Sequence, residues 1–452
     1  MSQKSGREVQ LNSKHKILWR LSGPLIISNL SIALLGIVDT AVVGHLSHPY
    51  YLGAVAVAAV IFDFVYWSMG FLRMGTTGII AQAYGQKDAD GIRKSLLHAI
   101  ALSQLIALLI LIFQEFILHT GLHLVGGSED VQKYAEVYFR HAIFGAPAVL
   151  GSLALLGCLL GLQNARATLY YAVTVNSINI VLDLILVFGL DMSVKGVAIA
   201  SVISQYCGIV LALFFIRFEL KKIPGSWKLD SILDLEAIMR MLALNQNIFI
   251  RTVCLIFVFG FFARQGAAQG DIILAANAVL LNFQAITSLG LDGFANAAEA
   301  LVGKAIGSRD RKSFNESIQT AFYWSIGVAA CFAIFYWLAG TQIISLMTGL
   351  DEVQSSAIRY LPWLIASPLI SVWCFVLDGI FIGAVKGREM RNSMIFSTLI
   401  VFLPGWFLLQ PLANHGLWLA MMLFFIGRGL SLAWYFYRID HDGDGFISPD
   451  HA

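Results

Sequence analysis

Two asparagines and an aspartate lie inside the apolar stretch 170–189 of this sequence: Asn176, Asn179 and Asp183. The stretch is otherwise long and apolar enough to cross a bilayer as a helix, which takes roughly 20 residues. Asn179 and Asp183 are four residues apart, so they share one face of that helix. An ionised carboxylate at the centre of a span costs about 2.5–3.5 kcal/mol, so such a residue is usually paired, faces water or binds an ion.

Asp39 is a second acid in an apolar run, near the end of the first predicted span. Two carboxylates that lie close together cannot both ionise cheaply, so such a pair can carry a proton or bind Na⁺ through its oxygens. Ser201, on the span that follows Asp183, adds a hydroxyl oxygen. We interpret Asp39, Asn179, Asp183 and Ser201 as one cation or proton site. The alternative is that they are polar contacts between helices.

The composition excludes a soluble globular protein. The 452 residues are 58% hydrophobic and only 13% charged, whereas roughly 25% charged is usual in soluble domains. The five cysteines lie in apolar runs without metal-binding spacing, so we expect no disulfide, zinc site or other cofactor. The sequence contains no Walker A motif, which disfavours an ATP-driven pump. We expect a membrane protein that is not an enzyme and has no nucleic-acid partner.

Apolar windows predict an all-α protein with about twelve transmembrane helices. The predicted spans are 17–44, 52–84, 94–120, 131–163, 166–190, 193–217, 238–265, 272–305, 314–342, 351–384, 390–412 and 415–438. Most Lys and Arg residues fall in the N-terminal segment and in the connections near 87–94, 221–228, 304–312 and 386–391. The positive-inside rule therefore predicts that both termini are cytoplasmic.

Three motifs recur at one offset of 222 residues. Ala-Tyr-Gly85-Gln-Lys-Asp resembles Ala-Ile-Gly307-Ser-Arg-Asp, and the motifs beginning at Leu52 and Glu129 return at Leu274 and Asp351. The offset spans six predicted helices, so both halves cross in the same direction, as in parallel-repeat transporters. The predicted organisation consists of an N-terminal segment (1–16), a first lobe (17–220), a linker (221–237), a second lobe (238–438) and a polar tail (439–452).

Several further residues are candidates for weaker reasons. Pro24 removes a backbone hydrogen bond from the first helix and permits a bend, so we interpret it as a hinge. Acids and arginines in other spans are expected to form structural charge pairs or gating contacts and not a substrate site. These residues are Asp292, Glu299, Asp378, Arg73 and Arg251.

The tail resembles the start of an EF-hand calcium loop. Asp440, Asp442 and Asp444 occupy its first, third and fifth positions, and Gly445 the sixth. The twelfth position is His451, where the loop requires a bidentate Glu. We therefore favour a solvated tail over a calcium site.

The sequence resembles the multidrug and toxic compound extrusion (MATE) family, in particular its bacterial DinF-like branch. The resemblance covers about residues 15–438 and rests on motifs in both halves. They are Pro24-Leu-Ile-Ile-Ser-Asn, Val38-Asp-Thr-Ala-Val-Val-Gly-His, Asn179-x-x-x-Asp183, Leu291-Asp-Gly-Phe, Ala298-Glu-Ala-Leu-Val-Gly-Lys and Glu389-Met-Arg-Asn. The family resemblance implies two six-helix lobes around a V-shaped cavity and export of drugs in exchange for H⁺ or Na⁺. It also implies a cation site at Asp39, Asn179 and Asp183, with Ser201 where some relatives have Thr.

We therefore expect a monomeric, multi-pass protein of the bacterial inner membrane. Its expected function is efflux of organic cations or amphipathic drugs by antiport, with H⁺ favoured over Na⁺ as the coupling ion. A flippase or exporter for a lipid-linked or amphipathic metabolite is the alternative, because the same two-lobed architecture can serve it.

Overall fold

The structure is a computed structural model that describes residues 2–46, 48–227, 234–441 and 445–447. All regular elements within these residues are helical. The first half contains α1 (Ser2–Gly44), α2 (Pro49–Ser68), α3 (Phe71–Gly85), α4 (Ala89–Ile112), α5 (Gln114–Val125), α6 (Glu129–Ala142), α7 (Ala146–Gly161), α8 (Ala165–Asp183) and α9 (Ser193–Lys221). A π-helical turn, Leu184–Gly189, continues α8 beyond Asp183.

Within the described residues, the second half contains seven α-helices. They are α10 (Leu235–Ala268), α11 (Asp271–Gly307), α12 (Arg311–Met347), α13 (Asp351–Gly383), α14 (Gly387–Phe396), α15 (Leu403–Leu409) and α16 (Ala413–His441). A π-helical turn, Ser397–Phe402, joins α14 to α15, and the short turn Gln410–Leu412 joins α15 to α16.

The predicted number of membrane crossings agrees with the structure. The described residues contain 11 helical segments long and apolar enough to span a membrane, and the last of them, Gly387–His441, has 55 residues. At 1.5 Å per residue a segment of that length would extend about 80 Å, far more than the roughly 30 Å of a bilayer core. It reverses at Ala413, whose φ of 48° breaks the helix, and α15 packs against α16. This segment therefore accounts for two crossings.

The 222-residue repeat is present in the backbone itself. Left-handed φ angles occur at Lys87, Gln163 and Asp191, and again at Arg309, Val385 and Ala413, each exactly one repeat later in the numbering. The side chains of Asp88 and Asp310 each cap the helix that follows, accepting a backbone N–H at 2.8 Å. The repeat predicted from sequence motifs is thus confirmed: helices end and begin at matching positions in the two halves.

Close helix packing recurs at the same offset. A Cβ atom at Gly161 would lie 2.9 Å from the carbonyl oxygen of Thr77, and one at Gly383 would lie 2.4 Å from that of Glu299. Gly therefore lets α7 approach α3 in the first half, and α13 approach α11 in the second.

The chain forms two compact units. The N-unit comprises Ile27–Met241, and the C-unit comprises Met1–Ile26 and Leu242–Ala452, so the boundary falls within α1. The N-unit has an apolar core that includes Ile80, Leu159 and Ala212. The larger core of the C-unit contains many aromatic side chains, among them Phe262, Tyr336 and Trp418.

Candidate cation site in the N-unit

The four residues predicted to form a cation site all lie in the N-unit. Asp183 ends α8 at the start of the π-helical turn, and Asn179 precedes it by one turn. Asp183 and Asn179 are buried, with 0% and 2% of their surface exposed. Asp39, near the end of α1, and Ser201, on α9, are half-buried.

The side chains of Asp39, on α1, and Asp183, at the end of α8, are in contact. The carboxyl groups of Asp39 and Asp183 form a hydrogen bond with each other. Such a bond requires that one of the two oxygens carries a proton, since an ionised carboxylate only accepts. One proton held between the two groups would avoid the cost of two adjacent charges in an apolar setting.

Neutral hydrogen-bonding groups surround the pair. The side-chain amide of Asn179 donates to the Ser201 hydroxyl oxygen at 3.2 Å. One turn earlier on α8, the amide of Asn176 donates to the Ser31 hydroxyl at 2.8 Å, which attaches α8 to α1. The first contact joins α8 to α9, and the second joins the helix that carries Asp183 to the helix that carries Asp39.

Sequence reasoning missed two residues near this site. Tyr138, on α6, forms a hydrogen bond with Ser201 and interacts electrostatically with both Asp39 and Asp183. Nothing in the sequence distinguishes this tyrosine, because α6 contacts the site only in the folded protein. Asp63, on α2, also interacts electrostatically with Tyr138, and its side chain is exposed. The rule that singled out Asp39, a lone acid in an apolar run, applies equally to Asp63.

The proposed hinge is not part of this cluster. Pro24 lies within α1, 15 residues before Asp39, which corresponds to about 22 Å along a helix. It is two residues from the boundary between the N-unit and the C-unit. Any influence of Pro24 on the acid pair must therefore pass along α1.

The C-unit contains a buried charge cluster of its own. Asp378, on α13, forms ion pairs with Arg251, on α10, and with Arg428, on α16; the Arg428 Nη2 atom lies 2.6 Å from its Oδ2. The structure thus pairs Arg251 with one of the predicted acids and adds Arg428, which the sequence interpretation overlooked. Asp292 interacts electrostatically with Arg428.

The other two charged candidates lie elsewhere. Glu299 is fully buried on α11, at the close contact with Gly383. Arg73 lies on α3 of the N-unit, next to Gly157. A pairing of Arg73 with an acid of the C-unit stays a prediction.

Two described residues of the tail, Asp440 and Phe446, contact other parts of the C-unit, where the sequence pattern predicts a solvated segment. Asp440, the first position of the calcium-like motif, forms an ion pair with Arg311 at 2.5 Å. Phe446 is 7% exposed and packs against Phe314 and Phe436. Phe446 therefore packs against other residues of the C-unit, because burying its apolar ring has a lower free energy than exposing it to water. Asp442 and Asp444 lie outside the described residues.

A family model described as MatE matches residues 24–185 and 248–407, one stretch in each half. The chain belongs to the MatE family. This MatE chain is 42% identical to DNA damage-inducible protein F of Escherichia coli (strain K12), over 97% of this chain and 95% of that protein. It is 24% identical to the probable multidrug resistance protein NorM of Acinetobacter baylyi, over 96% of each. It is therefore a multi-pass efflux transporter of the MATE type.

Solved structures support the fold independently. The crystal structure of MATE in the straight conformation matches with a TM-score of 0.85 at 20% identity, over 94% of this chain and 96% of that one. The outward-facing conformation of a multidrug resistance MATE family transporter matches with a TM-score of 0.83. At this identity the likeness concerns the fold alone, and it agrees with the helical two-repeat architecture.

Proposed function

We propose that this MATE transporter exports organic cations and amphipathic drugs in exchange for protons, with Asp39 and Asp183 as the coupling pair. The observation that carries the proposal is the hydrogen bond between these two carboxyl groups within the N-unit. A pair that holds one proton carries one negative charge, whereas the fully ionised pair carries two. The charge that attracts a cationic drug therefore depends on the proton.

Proton and drug compete for the same negative charge in this scheme. Proton uptake from outside neutralises the pair and weakens its attraction for the cation, which favours release of the drug. Because coupling between two ligands is reciprocal, drug binding must also expel protons. Asn179 and Ser201 accommodate either state, since an amide and a hydroxyl can each donate and accept.

A change in the protonation of Asp183 can alter the backbone conformation of α8. Asp183 is followed directly by the π-helical turn, and such turns have weaker hydrogen bonding than an α-helix and often occur at functional sites. We assign a second flexible point to Pro24, where α1 lacks a backbone donor. A bend at Pro24 on protonation would move the part of α1 that carries Asp39.

The test is drug binding to the purified transporter across pH. In the parent protein, affinity for a cationic drug falls as pH is lowered, and binding releases protons into an unbuffered solution. In Asp39→Asn and Asp183→Asn, affinity is weak and no longer depends on pH, and drug resistance in cells is lost. Asp191→Asn is the matched control, because Asp191 is exposed and its φ of 51° suits Asn.

Ion gradients distinguish the alternatives. A proton gradient imposed on proteoliposomes drives drug transport under this proposal, and a sodium gradient alone does not. Transport driven by sodium alone would reassign the acid pair as a Na⁺ site. Movement of a lipid-linked substrate without either gradient would favour the flippase.

A further inference from the structure

A basic cleft lies at one end of α4 and α9, away from the acid pair. It has a volume of about 600 Å³, and its lining includes Arg93, Arg217, Lys221, Leu96, Leu213 and Trp227. The whole cleft belongs to the N-unit. The distribution of Lys and Arg predicts that this end of the two helices faces the cytoplasm.

Three cations line the cleft, and no acid among the described residues does. Arg93 is 5% exposed and donates to the carbonyl oxygens of Leu220 and Ile223 at 3.0 and 2.7 Å. These acceptors are neutral backbone oxygens, so neither brings a negative charge into the cleft. Its Nε is buried and has no hydrogen-bond partner in the part of the chain that the structure describes. The nearby Asp90 carboxylate accepts from the backbone N–H of Ser226 at 2.9 Å and is not part of the lining of this cleft.

The other two cations project from the last turns of α9. Arg217 and Lys221 are four residues apart, share one helix face and are exposed. Neither forms an ion pair among the described residues. The neighbouring Lys222 behaves differently, since its ammonium group lies 2.7 Å from the Glu219 carboxylate. Positive charge at this helix end is thus neutralised on one face and left available on the face of the cleft.

An apolar strip leads from the cations along the helices. Leu213 is 47% exposed on the same side of α9, two turns or about 12 Å from Lys221, and Leu96 and Ile100 flank the strip from α4. Trp227 is 52% exposed and lies over the Arg93 guanidinium, with 5.7 Å to the ring centroid. Tryptophan is enriched where a membrane meets water. The cleft therefore joins a cationic end to a surface that faces acyl chains.

We propose that this cleft binds one anionic phospholipid of the cytoplasmic leaflet. The phosphate contacts Arg217 and Lys221 and approaches the free Nε of Arg93, and an acyl chain follows Leu213 and Ile100. Charge complementarity selects this occupant over a drug, because a cationic drug would be repelled. Basic pockets between membrane helices on the cytoplasmic side commonly hold anionic head groups. The site is separate from the acid pair, so lipid binding at the cleft can be tested independently of proton coupling.

The experiment compares lipid retention by the full-length protein in neutral detergent, measured by native mass spectrometry. Phosphatidylglycerol and phosphatidylcholine of equal chain length are titrated, and inorganic phosphate is added as a competitor. The parent protein is expected to retain one phosphatidylglycerol in preference to phosphatidylcholine. Arg217→Gln/Lys221→Gln is expected to bind it about 30-fold more weakly, given a contribution of about fivefold per cation.

Lys222→Gln is the matched control, because it removes the same charge from the same helix end but not from the cleft. It should retain phosphatidylglycerol as the parent does. Equal retention of both lipids, or unchanged phosphatidylglycerol binding in the double variant, would overturn the proposal. So would displacement by millimolar inorganic phosphate, since the cleft would then be a site for a soluble anion. Thermal unfolding without lipid checks that each variant is folded.

Discussion

Replacing Asp378 by Asn should cost the C-unit more stability than replacing any exposed acid. Its carboxylate oxygen accepts from both Arg251 and Arg428, and all three side chains are at most 11% exposed. Asn keeps the size of Asp378 but removes the charge, so two guanidinium groups remain buried without their shared counter-ion. Breaking a buried pair in this way typically costs about 3–5 kcal/mol. We expect the lower end of that range, because Asp292 also interacts with Arg428.

The assay is thermal and denaturant unfolding of purified Asp378→Asn in detergent, beside the parent protein and Asp191→Asn. The exposed control should change the free energy of unfolding by no more than about 0.5 kcal/mol. Adding Arg428→Met to Asp378→Asn should restore part of the loss, since one of the two uncompensated charges disappears. If Asp378→Asn is as stable as Asp191→Asn, the ion pairs do not hold α10, α13 and α16 together and the reasoning is refuted.

Three further predictions concern topology, packing and cation affinity. Cysteines introduced near Gly85 and Gly307, at the exposed Gln86 and Ser308, should both be labelled from the cytoplasm; labelling from opposite faces would contradict the parallel repeat. Gly383→Ala should be destabilising because its Cβ would meet backbone at 2.4 Å, whereas Gly327→Ala, with open space around it, should gain up to about 1 kcal/mol in unfolding experiments. Asp63→Asn should weaken binding of cationic drugs without moving the pH at which affinity changes; a shifted pH midpoint would place Asp63 within the coupling group.

Local sequence determined the membrane helices and their repetition. A helix that crosses a bilayer needs about 20 consecutive apolar residues. Whether a segment has them depends on its own sequence and not on its neighbours in the fold. Helix ends are local as well, which is why the motifs at Gly85 and Gly307 anticipated the left-handed turns at Lys87 and Arg309. The cost of a charge in a span likewise singled out Asp39 and Asp183 before any contact was known.

Contacts between distant segments were decided only by the tertiary structure. Asp39 and Asp183 are far apart in the chain, and their hydrogen bond depends on how α1 and α8 pack. Tyr138 reaches Ser201 and Arg428 reaches Asp378 for the same reason, because several spans could satisfy a buried polar group equally well. The sequence pattern also made residues 439–452 look like a solvated tail. It could not reveal that the Phe446 ring fits between Phe314 and Phe436, since the complementary shape of an apolar site exists only in the folded chain.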